Sequence, residues 1–179
     1  MQFKLVKNYN IPISWAIFSP EELVLLVCVK NSGVIYPFWF RQGVNSPIIK
    51  LPKFEVDVTN AQEPKGLPLV QERDVVIMNL YGAQYVAVIR SIGTGMDPSA
   101  SRNGDSTIGR SGSGLDMNST RVGRAEVNLY HLSVDVAAKV THVLDIDFNA
   151  RFTLSVVDNL VVVHHQHWKT SMLFDIAFG

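Results

Sequence analysis

Polar and apolar residues alternate along most of this chain with the period of a β-strand. Residues 2–7 alternate, and runs at 14–18, 23–30 and 34–40 follow, each rich in β-branched or aromatic side chains. Asn10-Ile11-Pro12, Ser19-Pro20 and Asn31-Ser32-Gly33 separate them as turns. Further runs occupy residues 50–58, 75–80, 85–91, 125–132, 139–146, 152–157, 160–165 and 172–178. No apolar pattern at helical spacing persists over a long stretch. The pattern predicts an all-β chain.

One local signal competes with it. Ser19-Pro20-Glu21-Glu22 spells a helix-capping box with proline at the first helical position. The run that follows, residues 23–29, is short, valine-rich and apolar all round, so a buried strand entered through a Ser-Pro turn is the better reading. Residues 160–163 are also apolar on both faces, as in a strand covered on each side. In 125–132, by contrast, Val127 and Leu129 share one face while Glu126 and Asn128 take the other. The strands fall into a leading strand, a four-strand set over 14–58, a second set over 74–146 and a three-strand set from Phe152. Such grouping suggests sandwich or propeller blades.

Residues 93–123 break the pattern. They hold seven of the chain's 12 glycines and six serines, with few and scattered apolar residues. Such a segment cannot bury enough surface to offset its ordering entropy, so a flexible insertion between two strands is expected. Residues 60–68, with Pro64, Gly66 and Pro68, read as a linker.

The chain has 179 residues, a length that suits one domain, and its 47% hydrophobic content excludes wholesale disorder. Sixteen basic residues balance sixteen acidic ones, which removes the electrostatic case for a nucleic-acid partner. The single cysteine, Cys28, lies in an apolar run and cannot close an internal disulfide, which favours a reducing compartment. The first residues lack the basic end and apolar stretch of a signal peptide, and no run approaches the roughly 20 residues of a membrane span. A cytoplasmic chain without a transmembrane segment is the expectation.

The spellings that suggest chemistry each have a blander reading. Gly104 to Ser111 has phosphate-loop spacing with arginine in place of lysine, yet no strand leads into it and no helix leaves it. Asp145-Ile146-Asp147-Phe148-Asn149-Ala150 resembles the start of a calcium loop, but Ala150 stands where the turn requires glycine. His164, His165 and His167 cluster; two on one strand face leave zinc short of ligands unless His131 or His142 joins them. The competing reading is a strand end whose imidazoles bond to turn carbonyls. No nucleophile turn or paired carboxylates point to catalysis. The expectation is no catalytic residue, no metal and no cofactor. Asn118-Ser119-Thr120 spells a glycosylation acceptor that a cytosolic chain would not use. Ser113, three residues after Arg110, is a candidate phosphorylation site. In Tyr36-Pro37-Phe38-Trp39-Phe40, Trp39 faces away from the other rings and reads either as core or as an interface anchor.

Several unbroken segments carry a resemblance. Pro37-Phe38-Trp39-Phe40-Arg41-Gln42-Gly43, Leu51-Pro52-Lys53-Phe54-Glu55-Val56, Glu72-Arg73-Asp74 and Leu80-Tyr81-Gly82 come first. They are followed by Leu129-Tyr130-His131-Leu132, the eleven residues from Val156 to Gln166 (VVDNLVVVHHQ), and Phe174-Asp175-Ile176. Together they resemble the family of regulators of the Mon–Ccz complex, also described as Mic colon-cancer-associated proteins. The resemblance spans nearly the whole chain.

That resemblance implies an amino-terminal WD40-like β-propeller followed by a helical solenoid. It implies a noncatalytic scaffold subunit of a guanine-nucleotide exchange complex that activates a late-endosomal Rab GTPase, supporting endosome maturation, lysosomal fusion and autophagy. The expected partner is the Mon–Ccz heterodimer, with peripheral association at late endosome and lysosome membranes. On this basis residues 1–179 are a fragment of one propeller domain, two blades plus pieces of flanking blades, without the solenoid; closure takes four to eight blades. Asp158-Asn159 becomes a tight hairpin turn. The alternative is a generic propeller or sandwich interaction module whose open strand edges take an unrelated peptide.

Overall fold

A computed structural model of the chain describes residues 5, 7–42, 48–58, 69–92, 124–146 and 150–178. The architecture is all-β, as the alternation predicts. Strands β1 (Ile13–Ser19), β2 (Val24–Val29), β3 (Val34–Phe40) and β4 (Ile48–Lys50) form an antiparallel meander. A short β5 (Phe54–Glu55) also pairs with β3. The second sheet runs β6 (Val75–Leu80), β7 (Ala83–Ile92), β8 (Arg124–His131) and β9 (Val140–Ile146). The third runs β10 (Phe152–Val157), β11 (Leu160–His165) and β12 (Thr170–Asp175). The three sets match the grouping read from the sequence. Among the described residues no helix is long and apolar enough to cross a membrane.

Side-chain alternation explains how the sheets stack. On β7, Val86 and Val88 enter a core shared with Val24, Leu26, Cys28 and Ile35 of the first sheet. The intervening Ala87 enters a second core with Val161 and Val163 of the third. On β8, Val127 and Leu129 join the third sheet's core while Tyr130 joins the first's. The middle sheet is therefore covered on both faces. Asn128, expected on a half-exposed face, is buried because the first sheet lies over that face. Each fully buried valine or leucine here contributes about 1.5–3 kcal/mol relative to exposure.

The turns follow local chemistry. Tyr81 and Gly82, both at positive φ (53° and 77°), close the β6–β7 hairpin. That conformation matches the twist of paired strands. Asp158 at φ 54° begins the β10–β11 turn, where the resemblance placed a hairpin. Ser19-Pro20-Glu21-Glu22 forms a turn into β2; Ser19 Oγ accepts the Glu22 N–H at 3.3 Å, the capping contact without a helix.

Several strand ends shift by one or two residues, and three departures from the reading above are larger. Residues 50–58 are not one strand, because Pro52 has no N–H to donate and β4 and β5 pair with β3 separately. Strand β12 ends at Asp175, whose carboxylate accepts the Ala177 N–H at 2.9 Å and turns the chain into a 3-10 segment, Ile176–Phe178. Of the leading strand, Leu5 and Lys7 are described and belong to no strand. The expected linker at 60–68 and insertion at 93–123 lie outside the described residues.

Candidate functional site

The histidines are held by their neighbours at the end of β11. His164 lies between two serines across adjacent strands, with Ser155 Oγ 2.8 Å from Nε2 and Ser171 Oγ 2.8 Å from Nδ1. His165 is buried and its Nδ1 accepts the Trp168 backbone N–H at 2.9 Å. The Trp168 indole stacks on His165 with ring centroids 4.4 Å apart, and Phe152 meets it edge-on at 5.4 Å. His167 falls in the following turn, so it does not share a strand face with His165. His131 and His142 instead flank Tyr85, at 5.3 and 6.2 Å. Two serine hydroxyls contact His164 and a turn N–H contacts His165, where the sequence suggested turn carbonyls. Among the described residues no three His, Cys, Asp or Glu side chains are placed to hold a metal ion.

A polar junction that no sequence motif announces joins the first two sheets. Arg90 Nη1 donates to Glu126 Oε1 at 2.9 Å, directly across from it on β8, and lies 3.6 Å from Asp57 after β5. Asn128 Nδ2 donates to the same Glu126 oxygen at 3.1 Å. Arg90 and Glu126 are 15% and 16% exposed, so this pair is far drier than a surface ion pair. Burial pushes the Tyr130 phenol above its ordinary range, with the Asp57 backbone and Arg90 opposing. The signal available in the sequence was a charged residue, Arg90 and Glu126 respectively, set among the apolar positions of each of two strands. Only the strand register reveals that they face each other.

The turns at one end of the stack form a second network. Glu22 accepts Asn79 Nδ2 at 3.3 Å, and its carbonyl accepts Gln84 Nε2 at 3.0 Å, which ties the β1–β2 turn to the β6–β7 hairpin. The Tyr81 N–H donates to Asn159 Oδ1 at 2.6 Å, and its hydroxyl donates to the Asp175 carboxylate. That bond raises the Tyr81 phenol and lowers the Asp175 carboxyl from their ordinary ranges. Leu132 N–H to Gln84 O, at 2.8 Å, adds the β8–β9 connection. Hydrogen bonds thus run continuously from the first sheet's turn to the third sheet's last strand.

The remaining residues singled out by sequence are placed plainly. Trp39 packs against the core between the first two sheets, with the Arg41 guanidinium 5.4 Å over its ring, so it is not a free anchor. Tyr36 faces the other way beneath Lys50 Nζ at 4.5 Å. Cys28 is fully buried, and burial raises its thiol from 9.0 to about 11. An open cleft of about 620 Å³ lies between β1 and the 3-10 turn Glu72–Asp74. There the Trp15 indole N–H donates to Val70 O at 2.7 Å, and burial raises the Asp74 carboxyl against the opposing pull of Arg73. Gly104–Ser111, Ser113, Asn118–Thr120 and Asp147–Asn149 lie outside the described residues.

These features define a layered all-β chain of consecutive antiparallel meanders whose polar groups bind sheet to sheet and turn to turn. No family model matches the chain. It is 38% identical over 175 residues to a human protein called regulator of MON1-CCZ1 complex, and 38% identical over 174 residues to the mouse protein of that name. Both matches cover 97% of this chain and 22% of the relative, so the chain spans about a fifth of the length of the relatives it matches. This likeness supports the assignment of the chain to the family of regulators of the MON1-CCZ1 complex, as the resemblance in its motifs implied.

Proposed function

We propose that this chain is a noncatalytic scaffold segment of a regulator of the MON1–CCZ1 complex and that it binds that complex. The observation that carries the reading is 38% identity sustained over 97% of the chain to proteins named for that role. The layering supports it further: the four-stranded middle sheet buries both faces against its neighbours, as a propeller blade does. On this reading residues 1–179 contribute two blades and parts of others to a propeller completed by the rest of a longer protein. The complex activates a late-endosomal Rab GTPase, and the chain acts in the cytoplasm at late endosome and lysosome membranes, supporting endosome maturation, lysosomal fusion and autophagy. Ser113 is a phosphorylation site within the segment that joins β7 to β8.

The test is co-elution of this chain with purified MON1–CCZ1 heterodimer on size-exclusion chromatography. A shared peak at the summed mass is the expected result. Separate elution of folded chain and heterodimer would remove the reading and leave a generic β interaction module.

A further inference from the structure

Large apolar side chains that remain exposed are not spread evenly over this molecule. Twelve are exposed among the described residues. Five of them, Tyr81, Val134, Val136, Val140 and Val157, lie at the end of the stack that carries the β6–β7, β8–β9 and β10–β11 connections, each 41–58% exposed. The hydrogen bonds from Glu22 through Gln84 and Tyr81 to Asn159 and Asp175 fix these turns relative to one another. The apolar groups therefore sit on one preorganised surface, which lowers the entropy cost of docking.

Two further observations say what would cover it. Additional sheets in such a stack would lie on the outer faces of the first and third sheets, not across strand ends, so layering leaves this rim open. The rim is also acidic in a chain that is neutral overall: among the described residues at this end, Glu21, Glu22, Asp135, Asp158 and Asp175 outnumber Arg41 and Lys139. All four described ion pairs, by contrast, lie toward the opposite end. An apolar patch rimmed by unneutralised carboxylates complements a partner surface with apolar side chains among lysines and arginines.

The geometry points to this turn-bearing rim as the surface through which the chain meets the MON1–CCZ1 complex, against a basic and apolar patch of that complex. The inference rests on the proposed function and adds the location and chemistry of the contact. Binding is measured with the chain and purified heterodimer for three variants. Val134→Ser/Val136→Ser removes apolar surface from the rim, and Glu21→Lys/Asp135→Lys reverses its charge. Ile13→Ser/Trp168→Ser removes exposed apolar surface at the opposite end. All six side chains are exposed, and an unchanged circular dichroism spectrum and Tm confirm folding before binding is read. The expected result is a loss of about tenfold or more in affinity for both rim variants. The loss from charge reversal shrinks at high salt, and the opposite-end variant keeps full affinity. Wild-type binding with undiminished binding by the rim variants overturns this inference alone. Loss of binding in the opposite-end variant also overturns it, and failure of the wild-type chain to bind removes the proposed function together with this inference.

Discussion

Replacing Arg90 by methionine tests the account of how the first two sheets hold together. Methionine keeps most of the apolar stem, so packing changes little and the charge is what is lost. The Glu126 carboxylate, 16% exposed, then keeps the Asn128 amide at 3.1 Å but no cation beside it on β7. A charge-assisted hydrogen bond contributes about 1.5–3 kcal/mol. Breaking a fully buried pair from one side costs about 3–5 kcal/mol. Because both groups keep about one-sixth of their surface exposed and the Asp57 contact at 3.6 Å is half in solvent, about 2–4 kcal/mol is expected here. With an m-value of about 2 kcal/mol/M, the urea midpoint falls by about 1–2 M. The double variant Arg90→Met/Glu126→Gln removes both charges and keeps an amide oxygen for Asn128 to donate to, so much of the lost stability returns. Equilibrium urea unfolding at low protein concentration reads both. A single variant within about 0.5 kcal/mol of wild type, or a double variant less stable than the single, would refute the reasoning.

Other consequences are as direct. A Cβ placed on Gly33 would stand 2.5 Å from the Val56 carbonyl oxygen, whose own N–H donates back to Gly33 O at 2.9 Å; Gly33→Ala therefore lowers stability by about 1–3 kcal/mol in the same urea assay. Cys28, raised by burial from 9.0 to about 11, resists alkylation at pH 8 in the folded chain and reacts fully in urea. Its contribution to stability is complete below pH 9 and is lost as pH rises through 11, so alkaline unfolding should weaken in Cys28→Ser. Tyr81 titrates above the usual tyrosine range by ultraviolet absorbance, and Asp175→Asn brings it back, because the carboxylate that accepts its hydroxyl is then neutral. The outer edge of β12 pairs with no described strand, so the chain alone associates as concentration rises; a monodisperse monomer at high concentration by light scattering would contradict that.

The strands were legible because their sequences are extreme. The boundaries of β3, β6, β10 and β11 coincide with apolar runs bounded by turn residues, where local propensity and burial agree. Where one proline or one carboxylate acts, at Pro52 and at Asp175, a run that reads as continuous is broken by a backbone group losing or changing its partner. The polar sites were less legible. Histidines attract notice by type, yet His164 lies between two serines that only strand pairing brings to it, and His165 accepts a turn N–H three residues on. Arg90 and Glu126 are 36 residues apart, and Tyr81 and Asp175 are 94 apart. Neither separation leaves a trace in local pattern.

The pairing of Ile92 with Arg124 has a consequence beyond the sheet it closes. The chain leaves β7 and re-enters β8 at two adjacent points, whatever lies between them. Both points are fixed by a ladder that runs from there to Tyr85 and His131. Lengthening the connection of residues 93–123 costs only loop-closure entropy, about 0.6 kcal/mol for each doubling. This makes the junction a natural port: a reporter domain could be spliced in there, or the segment shortened to a tight hairpin, while the strands on either side keep their register.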